Sequence, residues 1–267
     1  MSNEAVKRAE MPSGTAVLLE ERSIENSNHN LLAVLKPGQT VLDVGGGSGA
    51  ITQGITKYLG ETGKVYGIDS SEELINIARS KYGHIPNLEF IHGDIMTYET
   101  SLRFDIITAA RTLQWLTNPA AVIARLRQLL KPGGMLCILD YNHTKASWEP
   151  QPPQSMVYFY DKFLQWRQDV GMDNEIADHL PELLSQQGFS DIVITDESEK
   201  GIHTDPGFQG HANIWSMVAK LRGKQLVADK YITEEERLLA IAEYEAWVAV
   251  TARSHTMYLR GVHGVLK

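Results

Sequence analysis

The sequence predicts an α/β fold built on a doubly wound sheet, and three observations support this prediction. Short β-rich runs alternate with helical stretches from about residue 30 to residue 195. The apolar residues of these runs tend to be consecutive, as in strands that are buried on both faces of a parallel sheet. Repetition of strand, helix and strand also implies right-handed crossover connections.

Seven strands can be placed from these runs. Six of them are expected at 40–45, 64–69, 88–93, 104–110, 135–141 and 191–196, and the seventh is one long final strand at 255–266. The helices between the strands have recognisable starts. A capping box formed by Ser70 and Glu73 begins one helix, and Pro119 opens the next.

Two helical stretches interrupt the alternation and predict a cap over the sheet. Residues 151–188 include an aromatic-rich helix, and 207–252 is helical throughout, with a capping box of Thr233 and Glu236. The sequence contains no internal repeat and no low-complexity segment, so we expect a single domain over residues 1–267. Its core is expected at about 30–145, 189–196 and 254–266.

The composition limits the kind of molecule that the protein is expected to bind and the cellular compartment in which it is expected to lie. The net charge of −8 and the absence of a basic run argue against nonspecific binding to nucleic acid. The one cysteine, Cys137, cannot form an internal disulfide, which suits a reducing cytosol. Its thiol is either catalytic or a small buried hydrophobe. No signal peptide and no membrane span is recognisable, so we expect a cytoplasmic protein.

The most informative motif is a glycine loop, Gly45–Gly49, which follows the first strand and precedes a helix. With Ala50 it also satisfies the dinucleotide fingerprint, and Asp69 could accept hydrogen bonds from ribose in either case. Asp43 distinguishes the two cofactors. Its carboxylate would repel the pyrophosphate of NAD but would attract the ammonium and sulfonium groups of S-adenosylmethionine. The alternative role for Asp43 is to satisfy backbone amides of its own loop.

Five motifs in order resemble class I S-adenosylmethionine-dependent methyltransferases. They are VLDVGGGSG at 41–49, Asp69, Gly93-Asp94-Ile95, FDIITAARTLQWL at 104–116 and LKPGG at 130–134. The branch that they resemble most includes the ubiquinone and menaquinone biosynthesis enzymes, and the segment 22–26 resembles the upstream segment of that branch. The resemblance implies a Rossmann-like, doubly wound seven-stranded sheet, mostly parallel with an antiparallel last strand, under a helical cap.

The resemblance also implies which residues bind S-adenosylmethionine and its product, S-adenosylhomocysteine. Glycines of the loop would lie against the methionine portion, acidic residues would accept from the ribose and the adenine amino group, and the end of the fourth strand would flank the sulfonium. The expected residues are Asp43, Gly45, Gly46, Gly47, Asp69, Ser70, Asp94, Ile95, Ala110 and Arg111. Gly46 departs from the family, which usually has cysteine there. A turn-forming role is the alternative for Asp94.

The acceptor is expected outside the carboxyl ends of the fourth and fifth strands. Candidate substrate-binding residues are Gln114, Trp115, Tyr141, Tyr158, Trp166, His211 and Trp215. Ordinary helix packing is the alternative for the aromatic residues of the cap. His143 is the candidate catalytic base, because the family often has a histidine where Gln114 stands; a surface loop histidine is the alternative. No metal is expected, since Ala110 and Arg111 stand where a metal site would need an acidic residue.

The sequence therefore predicts an enzyme that moves a methyl group to a small organic acceptor by in-line displacement. The sulfonium is a good leaving group, so such an enzyme has to align the reactants and exclude water. Two other functions stay open: an NAD-dependent oxidoreductase, and a regulatory protein that binds S-adenosylmethionine without catalysis. The sequence leaves the oligomeric state open, with a homodimer as one alternative.

Overall fold

The computed structural model describes residues 3–12, 20 and 22–267. The strands in this part of the chain are β1 (Thr40–Val44), β2 (Lys64–Asp69), β3 (Leu88–His92), β4 (Phe104–Ala110), β5 (Leu130–Tyr141), β6 (Ser147–Glu149), β7 (Phe189–Asp196), β8 (Glu199–Ile202), β9 (Ser254–Met257) and β10 (Leu259–Leu266). The α-helices are α1 (Asn3–Ala9), α2 (Ile24–Ser27), α3 (His29–Leu32), α4 (Ala50–Leu59), α5 (Glu72–Tyr82), α6 (Pro119–Leu129), α7 (Gln154–Gln168), α8 (Ile176–Gln186), α9 (Phe208–Ala212), α10 (Ile214–Leu221), α11 (Gly223–Ala228) and α12 (Glu234–Val250).

Seven strands form the main sheet, in the order β3-β2-β1-β4-β5-β10-β7. Strands β1 to β5 pair in parallel, whereas β10 is antiparallel to both β5 and β7. The strand order reverses between β1 and β4, and ligands of doubly wound sheets bind beyond the strand ends at such a switch point. The predicted fold, a Rossmann-like sheet whose last strand is antiparallel, is confirmed.

Helices cover both faces of this sheet because neighbouring strand residues point to opposite faces. Leu42, Ile107 and Leu136 lie in one hydrophobic cluster with α6 and α8. The residues that precede or follow them, Val41, Ile106 and Cys137, lie in another cluster with α2 to α5. Cys137 is fully buried there and burial raises the pKa of its thiol, so the described structure gives it the role of a small core residue.

The cap is formed by α7 and α9 to α12, which pack together around an aromatic core. The predicted cap segment 151–188 is too long, because α8 packs on the sheet rather than in the cap. Ile176, Leu180 and Leu184 of α8 are fully buried in the same cluster as the sheet residues of β5 and β10. No helix of the described residues is long and apolar enough to cross a membrane.

The long final strand predicted at 255–266 is two strands in two different sheets. β10 enters the main sheet, while β9 pairs with β6 and β8 in a small antiparallel sheet. The change of sheet occurs at Tyr258, which belongs to neither strand. Alternation of apolar residues is the same in both pieces, so the sequence pattern does not reveal the break.

The helix starts agree with the sequence in two cases and differ in one. Thr233 and Glu236 form the predicted capping box of α12, and Pro119 is the first residue of α6. The predicted box of Ser70 and Glu73 is wrong, because Ser71 is the N-cap of α5 and accepts from the backbone N–H of Leu74. The helix therefore begins one residue later than predicted.

Candidate active site

The glycine loop connects β1 to α4 through left-handed backbone. The φ angle is +75° at Gly45, +55° at Gly47 and +82° at Gly49, a region that residues with a Cβ atom adopt rarely. A Cβ atom at Gly45 would also lie 2.3 Å from Oγ1 of Thr112. Backbone conformation therefore requires glycine at these positions, and the loop presents bare main chain to the space above it.

That space is a cavity of about 540 Å³ beyond the carboxyl ends of β1, β2 and β4. It lies at the switch point of the sheet. All the residues predicted to bind the cofactor line it: Asp43, Gly45, Gly46, Gly47, Asp69, Ser70, Asp94, Ile95, Ala110 and Arg111. The structure thus brings four separate sequence motifs to one place.

Asp43 is a buried carboxylate beneath the glycine loop. Its Oδ2 accepts a hydrogen bond of 2.6 Å from Oγ1 of Thr52. Burial raises the pKa of Asp43 to about 6, which the Thr52 bond opposes and the nearby Asp69 reinforces. A Cβ atom at Gly46 would lie 2.9 Å from the same Thr52 Oγ1. Glycine in place of the family's usual cysteine therefore leaves room for the bond between Thr52 and Asp43.

Asp69 joins the glycine loop to the start of α5. Its Oδ2 accepts from the backbone N–H of Gly47 at 2.9 Å, and its Oδ1 accepts from that of Ser71 at 2.8 Å. Each carboxylate oxygen has two lone pairs, so both can accept another bond from a ligand hydroxyl. Burial raises the pKa of Asp69, although these two backbone bonds oppose the shift.

These residues fit S-adenosylmethionine. The floor of the cavity is glycine backbone. The carboxylates of Asp43, Asp69 and Asp94 line the same space, and their negative charge suits a cofactor with cationic groups. Ser48 also lines the cavity, and its buried hydroxyl has no hydrogen-bond partner in the described structure. A buried polar group without a partner is costly, so a ligand that supplied one would be favoured.

Arg111 forms the wall next to Ala110, just beyond β4. Its φ angle is +57°, a strained value for a residue with a long side chain. Its guanidinium donates to the Tyr141 hydroxyl at 2.9 Å, to the Ser27 carbonyl at 2.9 Å and to Oε1 of Glu199 at 2.5 Å. Arg111 therefore joins its own segment to three others around the cavity, and its charge is already paired with that of Glu199.

Two of the predicted substrate residues follow Arg111, and only one lines the cavity. Trp115 lines it, and the guanidinium carbons of Arg222 and Arg167 lie 4.0 and 4.7 Å from the centres of its rings. Gln114 is buried behind the wall, where its Nε2 donates to the Arg111 carbonyl. Tyr141 is also buried, as the partner of Arg111.

His143 does not line the cavity, which differs from its predicted role as a base. Its ring is buried and stacks on Tyr141 with 5.3 Å between ring centroids. Its Nε2 lies 2.7 Å from Oε1 of Gln114, while its Nδ1 has no described partner. Burial, followed by the charge of Arg167, lowers the pKa of His143 well below its usual value. The structure thus places His143 against Gln114 and outside the cavity lining, which does not agree with the predicted position of a base.

The predicted acceptor residues of the cap are not gathered at the cavity. Trp166 and Trp215 are fully or almost fully buried in the aromatic core of the cap, where Trp215 lies 4.4 Å from Tyr160 between ring centroids. His211 packs against His255, and Tyr158 is exposed on α7. For these four residues the alternative of helix packing or surface exposure describes the structure better.

The sequence did not single out α1 and the segment after it as cavity walls. Val6, Ala9, Glu10 and Met11 line the cavity. Arg222 of the cap donates to the carbonyls of Arg8 and Glu10, both at 2.7 Å, and so holds this segment in place. The segment lacks a motif, and no sequence signal that we recognise could have identified it.

Arg22 also lines the cavity. The sequence pointed to it only as the first residue of the upstream segment, without a role. No three histidine, cysteine, aspartate or glutamate side chains lie close enough to hold a metal ion in the described part of the chain.

Comparison with known proteins identifies the family. A family model described as a methyltransferase domain matches residues 35–186, more than half of the chain. The ubiquinone/menaquinone biosynthesis C-methyltransferase of Paraburkholderia phymatum is 31% identical over 140 residues, which are 51% of this chain and 56% of that protein. The demethylmenaquinone methyltransferase of Staphylococcus haemolyticus is 29% identical over 60% of this chain and 72% of its own. The match thus covers little more than half the length of the first of these relatives.

Solved structures show the same fold at lower identity. The YcgJ protein of Bacillus subtilis has a TM-score of 0.57 with 15% identity, over 90% of this chain and 96% of its own. A second match is a Haemonchus contortus phosphoethanolamine N-methyltransferase, solved with phosphomonomethylethanolamine and S-adenosylhomocysteine. Its TM-score is 0.56 with 18% identity, over 90% of this chain and 52% of its own. With the seven-stranded sheet and the family match over residues 35–186, these findings show that the chain belongs to the methyltransferase domain family, as its motifs predicted.

Proposed function

We propose that this chain transfers the methyl group of S-adenosylmethionine to a small organic acceptor by in-line displacement. The observation that carries the proposal is the cavity, where the glycine loop, three carboxylates and Arg111 surround one space at the switch point of the sheet. The family match supports the methyl donor over NAD, which the glycine loop alone did not decide. We also propose the predicted cofactor residues as the binding site.

Each part of the site has a separate task in this reaction. When bound, the cofactor supplies a methyl group that is already activated by its sulfonium. The glycine loop and Asp69 hold its two ends, and Asp43 adds a negative charge below the cationic groups. Trp115, Leu116 and Met11 give the cavity apolar walls, which favour the exclusion of water when the ligands are bound. Alignment and exclusion of water are therefore the chain's main contributions.

The acceptor is proposed from the relatives' names and from the cavity. One relative is named for ubiquinone/menaquinone biosynthesis and another as a demethylmenaquinone methyltransferase, so quinols are the first compounds to test. Predicted contacts of the acceptor with Gln114, Tyr141 and the cap aromatics are not proposed again, because these side chains lie behind the cavity wall or in the cap. Trp115 stays the proposed acceptor contact.

We further propose that the enzyme acts in the cytoplasm on a diffusible acceptor rather than on nucleic acid. The net charge of −8 supports the second part, because nucleic-acid binding relies on a basic face. The single cysteine, Cys137, cannot form an internal disulfide, and this supports a reducing compartment. Sheet and cap together are proposed as one domain.

Calorimetric titration with S-adenosylmethionine, S-adenosylhomocysteine and NAD tests the choice of cofactor. We expect saturable binding of the first two and none of NAD. Mass spectrometry after incubation with methyl-labelled S-adenosylmethionine and a panel of reduced quinones then tests the reaction. Transfer of the label to an acceptor is expected. Binding of NAD alone would contradict the cofactor, and tight binding without any transfer across the panel would favour a regulatory protein.

The affinity for S-adenosylmethionine is expected to rise as the pH rises from 5 to 7. In the unliganded protein the pKa of Asp43 is raised to about 6, so at pH 5 the carboxyl is mostly protonated. The cationic cofactor favours the ionised form and lowers this pKa, so binding below pH 6 releases a proton. The dissociation constant should fall by up to about tenfold per pH unit below pH 6 and level off above it.

The matched variant for this experiment is Asp43→Asn, which keeps the shape and removes the ionisation. Its affinity should change little with pH over the same range. Titrations at pH 5, 6 and 7 on both proteins give the comparison. Equal pH dependence in the two proteins would show that another group titrates on binding.

A further inference from the structure

The two ends of the cavity carry opposite charges. At the end formed by β1 and β2, the carboxylates of Asp43 and Asp69 lie beside the glycine loop, and Asp94 lines the same space. At the other end, beyond β4, the cavity is lined by Arg111 and by the neighbouring Arg22. In a protein of net charge −8, a cationic end of a cavity is a local feature that needs an explanation.

Among the described residues, only one of the two guanidinium groups has a partner. Arg111 is paired with Glu199 and has donated its other bonds to Tyr141 and Ser27. Arg22 makes no hydrogen bond and no ion pair with any of the residues in 3–12, 20 and 22–267. Its electrostatic neighbours are Arg111, Tyr141 and Glu199, which places it at the Arg111 end of the cavity. Burial, followed by the charge of Arg111, lowers the pKa of Arg22, although Tyr141 and Glu199 oppose the shift.

Arg22 is also held in position. It precedes Ser23, the N-cap of α2, where a capping box joins Ser23 to Asn26 with bonds of 2.7 and 3.3 Å. The next residue, Ile24, is fully buried in the core against α4. A guanidinium group that lines a cavity, on a well-held backbone and without a partner among the described residues, is suited to meet an anion from a ligand.

We propose that Arg22 binds an oxyanion of the acceptor, so that the acceptor is an acidic compound that enters the cavity deprotonated. This inference rests on the proposed methyl transfer and specifies its substrate class: a compound with a carboxylate or an acidic hydroxyl group next to the methylated atom. The positive charge of the sulfonium would attract such an anion as well.

The proposal accounts for the lack of a base at the cavity. No histidine or lysine is among the described residues that line it, and the acidic residues lie at the cofactor end or on the N-terminal segment. If the guanidinium stabilises the anion, the acceptor loses its proton to water before transfer. The nucleophilic atom then forms its bond to the methyl carbon, the carbon–sulfur bond breaks, and the electron pair of that bond stays on sulfur.

A pair of probes that differ in charge tests the proposal. The hydroxyl of 2-hydroxy-1,4-naphthoquinone is ionised at pH 7.5, whereas 2-methoxy-1,4-naphthoquinone is neutral with the same ring. With protein saturated with S-adenosylhomocysteine, we expect the anionic probe to bind at least tenfold more tightly. Arg22→Met should remove this preference. We expect it to weaken binding of the anionic probe tenfold or more and to change binding of the neutral probe less than twofold.

Two variants control for charge and for folding. Arg22→Lys retains the charge and should recover part of the preference. Arg103→Met removes an exposed arginine, bonded to the carbonyls of Thr100 and Leu102 and absent from the cavity lining, and should behave as wild type. Equal binding of both probes to the wild-type protein, or an unchanged preference in Arg22→Met, would overturn the proposal.

The other source of an oxyanion is the carboxylate of the cofactor itself. Titration with S-adenosylhomocysteine and with 5′-methylthioadenosine, which lacks the amino-acid portion, separates the two. Our proposal expects Arg22→Met to bind both within twofold of wild type. Weaker binding of S-adenosylhomocysteine alone would assign Arg22 to the cofactor and overturn the proposal. Failure of the wild-type protein to bind S-adenosylhomocysteine would instead refute the proposed function.

Discussion

Replacing Gly47 by valine is expected to reduce binding of S-adenosylhomocysteine by at least about a hundredfold. The φ angle of +55° at Gly47 is unfavourable for any residue with a Cβ atom and most unfavourable for a β-branched one. Gly47 also lines the cavity, so the new side chain competes with the ligand for space. If the backbone relaxes instead, the bond from its N–H to Oδ2 of Asp69 is lost. Calorimetric titration measures the effect.

Gly60→Val separates loss of binding from backbone strain. Gly60 also has a positive φ angle, +67°, but a Cβ atom there would meet nothing within 4 Å, and the residue is not part of the cavity. We expect Gly60→Val to lose stability and to keep its affinity for S-adenosylhomocysteine. Circular dichroism and thermal unfolding check that both variants are folded. Full affinity in a folded Gly47→Val protein would contradict the assignment of the loop.

Replacing Asp69 by alanine is expected to weaken the binding of S-adenosylhomocysteine by about 10- to 150-fold. This change corresponds to roughly 1.5–3 kcal/mol, the range for hydrogen bonds to charged groups. Two effects add to each other. The variant loses the proposed acceptor for the ribose hydroxyls, and it frees the backbone N–H groups of Gly47 and Ser71 from the carboxylate that now orients them.

The control for this change is Asp105→Ala at the start of β4. Asp105 resembles Asp69 in accepting a backbone bond, from Thr40 N–H at 2.7 Å, and it also pairs with Lys131. It does not line the cavity, so its removal should cost stability without changing affinity. Equal affinity in Asp69→Ala and wild type would show that the acid at the end of β2 does not bind the ribose.

The cofactor end of the cavity could be predicted from sequence because each part is encoded locally. Gly45 and Gly47 are needed for a tight turn directly after β1, and Asp69 stands at the end of the next strand. In a parallel sheet, neighbouring strands end at the same edge, so residues at strand ends meet without further information. Ala110 and Arg111, which the family resemblance named, stand at the end of the neighbouring β4 and line the same cavity.

The acceptor end could not be predicted because it depends on packing between distant segments. Glu199 reaches Arg111 from β8, and the bend of the chain at Tyr258 puts β9 beside β8; neither is marked by a local signal. His143 and Trp215 have the residue types of a binding site, yet their burial is decided by helices that pack over them. The spacing of apolar residues predicts which face of a helix is buried, but it does not predict which element packs against that face.

The position of β10 affects the order in which the site can form during synthesis. β10 is inserted between β5 and β7, although it is made after both. The strands that hold the glycine loop, Asp69 and Arg111 are complete by residue 111, whereas β7 joins the sheet only through β10, at 259–266. A nascent chain can therefore assemble the cavity lining early, but β7 has to wait for the last strand to join across a large separation in sequence, and Glu199, the partner of Arg111, follows β7 directly in the chain.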